Sequence, residues 1–266
     1  MNYGIPTLME YPGLDELAAF CTEQGFGFAE LNMTFPWFQA GTLSARKLRE
    51  AKEKYGVGFT VHLHDQVNPF EFSPEMRKGS LENIRFAMEL ARELGMPRLT
   101  MHLQPGTYSS VNGKKTYLYG QCLDRYLALV RSFRDFAEEH LAGCGTVFCI
   151  ENTSGFQPFQ TEAIGILLES DAFGLTFDVG HSYKAGGQDG RFMLEHEDRI
   201  RHFHIHDCSM KSNHLAFGAG GLDLVSYLRL AEKNGCSVVA EVKESGALIR
   251  SREYLIDHGL WQSSEK

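Results

Sequence analysis

Residues 146–152 read TVFCIEN, residues 173–179 read FGLTFDV and residues 200–207 read IRHFHIHD, with two stretches of helical composition between them. Each piece is a short apolar run rich in β-branched and aromatic residues, the signature of a strand. A strand sends alternate side chains to opposite faces. Leu175, Phe177 and Val179 therefore share one face, and Thr176 and Asp178 the other. By the same rule Phe148 and Ile150 oppose Val147, Cys149 and Glu151, while Phe203 and Ile205 oppose His202, His204 and His206. One face suits packing under helices, and the other carries ionisable groups toward the strand's C-terminal end. Strands that alternate with helices form a parallel sheet.

The pattern extends both ways along the chain. FGFAELN (26–32), VGFTVHLH (57–64), PRLTMHL (97–103) and CSVVAEV (236–242) read as strands, and Tyr3 to Pro6 as a weaker first one. Helical periods fill GLDELAAFCTEQG (13–25), SARKLREAKEKYG (44–56), SPEMRKGSLENIRFAMELARELG (73–95) and the segment from Tyr117 to Leu141. Leu14, Leu17, Ala18 and Cys21 show the spacing in the first of these. About eight β-then-α units in a chain of this length predict an α/β fold of the closed (β/α)8 type rather than an open doubly wound sheet. No GxGxxG follows the first strand, which argues against a dinucleotide site. With no linker or low-complexity tract, residues 1–266 are expected to form a single domain.

The alternation puts Glu30 and Asn32, His62 and His64, Thr100 and His102, and Glu241 on the inner face as well. Active sites of this fold are built at the C-terminal mouth of the barrel. Glu151, Asp178 and Glu241 converge there, and gathering buried carboxylates is unfavourable without a counter-charge. A divalent cation removes the conflict. Carboxylate and imidazole donors suit Mn, Mg, Co, Fe or Zn, and no thiolate is required. Glu151, Asp178, His204 and Glu241 are the ligand candidates, with His62, His102, His181 and His214 as further site candidates. His64, His202 and His206 rank behind these neighbours. Cys149 and Cys208 read as small buried residues, and His140, His196 and His258 as surface residues of helices.

Composition sets limits on the partners. The chain has 266 residues, 43% hydrophobic and 23% charged, as soluble globular proteins do. Its net charge of −8 disfavours a broad basic face for nucleic acid, although a local basic groove stays compatible with it. No apolar run is long enough to cross a membrane. The N-terminus MNYGIPTLMEYPG lacks the basic and apolar regions of a secretory signal. The six cysteines form no CxxC pair and read as reduced thiols, so a cytoplasmic location is expected. The segment NMTFPWFQAG (32–41) carries Phe35, Trp37 and Phe38, which suit either closure over a ligand or a contact in a homo-oligomer.

The pieces AELN, VHLHDQVN, MHLQPG, CIENTSG, FDVGH, HIHD, HLAFGAG and AEV, in this order and on successive strands, resemble the xylose isomerase-like TIM barrel superfamily. That group includes sugar isomerases and epimerases and endonuclease IV. Carried over by motif, the resemblance implies one metal held by Glu151, Asp178, His204 and Glu241, as in the sugar-epimerase branch. It also implies that Glu151 and Glu241 exchange a proton on the substrate while the metal stabilises an enediolate. His62, His102, His181, His214 and Trp37 become substrate-binding candidates, and the partner is a small sugar or sugar phosphate. The endonuclease branch binds three zinc ions, and His62, His102, His181 and His214 match its further positions. Its Asp-x-His pair, however, reads Ser212-Asn213-His214 here, so one carboxylate is missing. The lysine that usually follows the Asp of the HIHD-type motif is replaced at that place by Cys208. The expected activity is therefore a divalent-metal-dependent sugar or sugar-phosphate isomerase or epimerase, using Mn, Co, Mg or Zn. A zinc phosphodiesterase acting on abasic DNA and a sugar-binding barrel without turnover are the alternatives.

Overall fold

The computed structural model describes residues 1–261. Its strands, in chain order, are β1 (Asn2–Ile5), β2 (Phe28–Asn32), β3 (Gly58–His62), β4 (Arg98–His102), β5 (Tyr108–Val111), β6 (Lys114–Tyr117), β7 (Val147–Glu151), β8 (Phe173–Asp178), β9 (Ile200–Ile205) and β10 (Ser237–Ala240). All but β5 and β6 join in one closed barrel, in the order β1-β2-β3-β4-β7-β8-β9-β10 and back to β1. Every barrel pairing is parallel. The expected α/β barrel is thus the observed one.

Local sequence explains the helices between the strands. Ser44 accepts a hydrogen bond from the Lys47 amide and opens the helix Ala45–Tyr55, and Gly56 closes it in the left-handed conformation. Pro74 starts the long helix to Leu94, and Gly95 ends it in the same way. Phe148, Ile150, Leu175, Phe177, Phe203 and Ile205 are fully buried on the outer face of their strands, under the helices. Inside the barrel, Thr100 and Thr176 meet hydroxyl to hydroxyl at 3.1 Å. The outer layer is therefore apolar and the lumen polar, as the alternation requires.

Three local features differ from, or add to, what the sequence predicts. The segment from Tyr117 to Leu141 is not one helix. Tyr117 ends strand β6, a short helix covers Leu118–Gln121, the chain breaks at Cys122, and the main helix runs Leu123–Leu141. The stretch after His102 contains the antiparallel hairpin β5–β6. Its turn uses Asn112 and Gly113, both with positive φ, the pair that two-residue hairpins favour. Strand β3 stops at His62, so His64 lies beyond it, where its ring accepts a hydrogen bond from the Gln66 amide. Among the described residues, no helix is long and apolar enough to cross a membrane.

Candidate metal centre

Four strands bring four donors to one point. Glu151 ends β7, Asp178 ends β8, His204 lies near the end of β9, and Glu241 follows β10 directly. Donor atoms of Glu151, Asp178, His204 and Glu241 all lie within 4.8 Å of one another. His204 Nδ1 is 3.0 Å from Glu151 Oε1 and 3.4 Å from Glu241 Oε2. Parallel register accounts for the meeting, since Asp178 pairs with His204 across β8 and β9 and the Glu241 amide donates to Ile205 O.

The neighbouring motif residues fix these side chains. Asn152 clasps the Asp178 backbone, donating to its carbonyl at 2.8 Å and accepting from its amide at 2.9 Å. The Asp178 side chain accepts from the His181 amide at 2.6 Å and so caps the short helix Val179–Lys184. Gly180 leaves room for His206, because a Cβ there would stand 1.9 Å from the His206 ring. Asp207 accepts from the Cys208, Gly220 and Leu222 amides and holds the loop that carries His214.

Two groups of histidines flank the four donors. His62 Nε2 is 3.0 Å and His102 Nε2 3.2 Å from Glu151 Oε2, so both rings lie against one carboxylate oxygen. On the other side His181, His206 and His214 bring ring nitrogens within 4.8 Å of one another. His206 Nε2 and His181 Nδ1 face Asp178 at 3.2 and 3.3 Å. His214 has a left-handed backbone (φ 50), and its ring Nδ1 donates to the Glu241 carbonyl oxygen at 2.9 Å. The donation leaves its Nε2 as a free lone pair.

The electrostatics match a cation site. Burial opposes ionisation of Glu151, yet His204 and His102 outweigh it and hold the carboxyl well below the usual range. Burial likewise opposes Glu241, where Lys243 and His204 prevail; Lys243 Nζ stands 2.7 Å from Glu241 Oε1. Burial would lower His62, but the Glu151 contact pushes it up to about 9. His204 rises well above its ordinary value for the same reason, with Glu151 and Glu30 overcoming burial. His214 goes the other way, lowered by burial to about 4. Asp178 Oδ2, Glu241 Oε2 and His181 Nδ1 are buried and make no hydrogen bond. Unpaired buried acceptors are unfavourable, and a divalent ion in the four-donor group satisfies the two carboxylate oxygens. Three carboxylates with one imidazole form a donor set for Mn, Co, Mg or Zn.

Trp37 lies apart from these clusters. It sits in the 3-10 turn Pro36–Phe38, its ring 5.3 Å from that of Phe35, and lines a groove with Leu14, Leu43, Arg46 and Lys47 between two outer helices. Sequence alone gives three residues near the centre no leading part. Alternation places Glu30 on the inner face without a role and ranks His206 behind its neighbours, because it gives a face but not a distance. Lys243 carried no signal beyond its place two residues after Glu241.

The profile of the xylose isomerase-like TIM barrel family matches residues 18–260, and the chain belongs to that family. Among solved structures, a D-tagatose 3-epimerase-like protein superposes with a TM-score of 0.78 at 23% identity, covering 97% of both chains. A 3-keto-D-glucoside 4-epimerase from E. coli gives 0.74 at 16% identity, covering 97% of this chain and 99% of the other. An IolI protein with a bound zinc atom gives 0.72 at 12% identity, over the full length of both.

Proposed function

Starting from membership of the xylose isomerase-like TIM barrel family, we propose that this protein is a divalent-metal-dependent sugar or sugar-phosphate isomerase or epimerase. The observation that carries the reading is the convergence of Glu151, Asp178, His204 and Glu241 on one point at the barrel mouth. The epimerases among its structural neighbours support the same class of chemistry.

Glu151, Asp178, His204 and Glu241 would hold the ion, which supplies positive charge where negative charge develops on the substrate oxygens. Glu151 and Glu241 exchange the proton on the carbon beside the carbonyl, one taking it and the other returning it. His62 and His102 hold Glu151 Oε2 between them and fix the direction of that carboxylate. His181 and His214, each part-buried, face the mouth and hydrogen-bond substrate hydroxyls. Trp37, in its outer groove, contributes to substrate enclosure only through movement of the segment 33–41.

The test is solvent exchange. The metal-loaded protein is incubated in D2O with a panel of ketoses and ketose phosphates. Deuterium at the carbon next to the carbonyl, together with an epimer or isomer, is the expected outcome. Absence of exchange with every sugar would overturn the reading. A second reading, a multi-metal phosphodiesterase, draws on one specific observation. His62 and His102 against Glu151, and His181, His206 and His214 beside Asp178, offer donors for further ions. Cleavage of an abasic-site duplex, without sugar exchange, would select it.

A further inference from the structure

Directly beneath His204 lies a carboxylate that the chemistry above does not use. Glu30, on β2, is 3% exposed and points into the lumen. Its Oε1 is 2.7 Å from His204 Nε2, and its Oε2 is 3.3 Å from His202 Nε2 and accepts from the Thr60 hydroxyl at 3.2 Å. His202 is anchored in turn through Nδ1 to the Ser237 hydroxyl at 2.7 Å. Neither Nε2 has a hydrogen-bond partner among the described residues, so the approaches to Glu30 are close charge contacts of two buried rings to one carboxylate.

The two faces of the His204 ring are thus unlike. Nδ1 looks up at Glu151 and Glu241, and Nε2 looks down at Glu30. An imidazole binds a metal through a nitrogen without a proton, and the remaining proton sits on the other nitrogen. We propose that Glu30 is a positioning residue for the metal centre: it holds the proton of His204 on Nε2 and presents Nδ1 to the ion. A carboxylate behind a histidine ligand both fixes the ring and raises its donor strength. The pairing spans the barrel, from β2 to β9, so it also ties the first strand pair to the ligand strands. The inference rests on the metal-centre reading above.

The experiment measures metal affinity rather than turnover. Zn2+ and Mn2+ are titrated separately against a chromophoric chelator in competition with wild type, Glu30→Gln and Glu30→Leu. Glu30→Leu removes both acceptors and is expected to weaken binding by about 10- to 100-fold; Glu30→Gln keeps one neutral acceptor and falls between. Wild-type affinity in Glu30→Leu would overturn the proposal while leaving the metal centre intact. Lack of binding by the wild type would overturn the centre itself and the proposal with it. Nitrogen-15 NMR of the zinc-loaded wild type needs no variant: a proton on His204 Nε2 is expected, and a proton on Nδ1 overturns the assignment.

Discussion

Replacing Glu151 by Gln removes one negative charge and almost no volume, so its consequences follow from the contacts. In the metal-free protein Glu151 faces His62, His102 and His204 at 3.0, 3.2 and 3.0 Å. The His62 contact sets the scale. Its pKa stands at about 9 against an ordinary 6.5, and ~2.5 units at ~1.4 kcal/mol each give about 3 kcal/mol. A folded-state pKa raised above the unfolded value stabilises fully below pH 6.5, and the contribution fades as pH rises through 9. Glu151→Gln in chelator should therefore unfold ~6–12 °C lower than wild type at pH 6. The gap should narrow at pH 10, above the His62 value. Thermal unfolding followed by circular dichroism reads both values. Equal melting temperatures at pH 6, or a gap unchanged at pH 10, would refute the reasoning. The same variant should lose bound metal and turnover together.

Gly180→Ala would place a methyl group 1.9 Å from the His206 ring; displacement of that ring should destabilise the protein by ~1–3 kcal/mol in urea unfolding, and a neutral result would mean that the ring is not held there. His62→Ala should reduce activity far more than His64→Ala, since only His62 touches Glu151; equal losses in a steady-state assay would contradict that ranking. His204 holds an extra proton in the metal-free protein because Glu151 and Glu30 overcome its burial. Metal binding at Nδ1 should expel a proton, so apparent affinity should rise with pH. Calorimetry in two buffers of different ionisation heat checks this, and identical heats would refute it.

The barrel was legible because short apolar strands recur between helical stretches and most of them turn a polar or ionisable residue to one face, as the three quoted pieces show most clearly. Glu151, Asp178, His204 and Glu241 were legible as lumen-facing residues at the ends of neighbouring strands, hence as donors that can meet. What alternation cannot supply is height along the barrel and contact across it. Glu30 and His204 belong to distant strands, and their 2.7 Å approach depends on barrel closure and stagger. His206 shares a face with His202 and His204, but its meeting with His181 and His214 is made by the short helix after Asp178 and by the loop after Asp207. The hairpin after β4 did leave a signal. Asn112-Gly113 between residues rich in Tyr and Val is a two-residue turn motif, masked by the helical composition that follows. Trp37 stands in an outer groove because aromatic content marks burial and not direction.

The most direct test of the account is the metal content of the purified chain, measured by elemental analysis before and after reloading with Mn, Co, Mg or Zn, in wild type and in Asp178→Asn. The four-donor centre predicts about one tightly held divalent ion per chain, largely lost in the variant. A wild type that retains none, or a variant that retains as much as wild type, would contradict it.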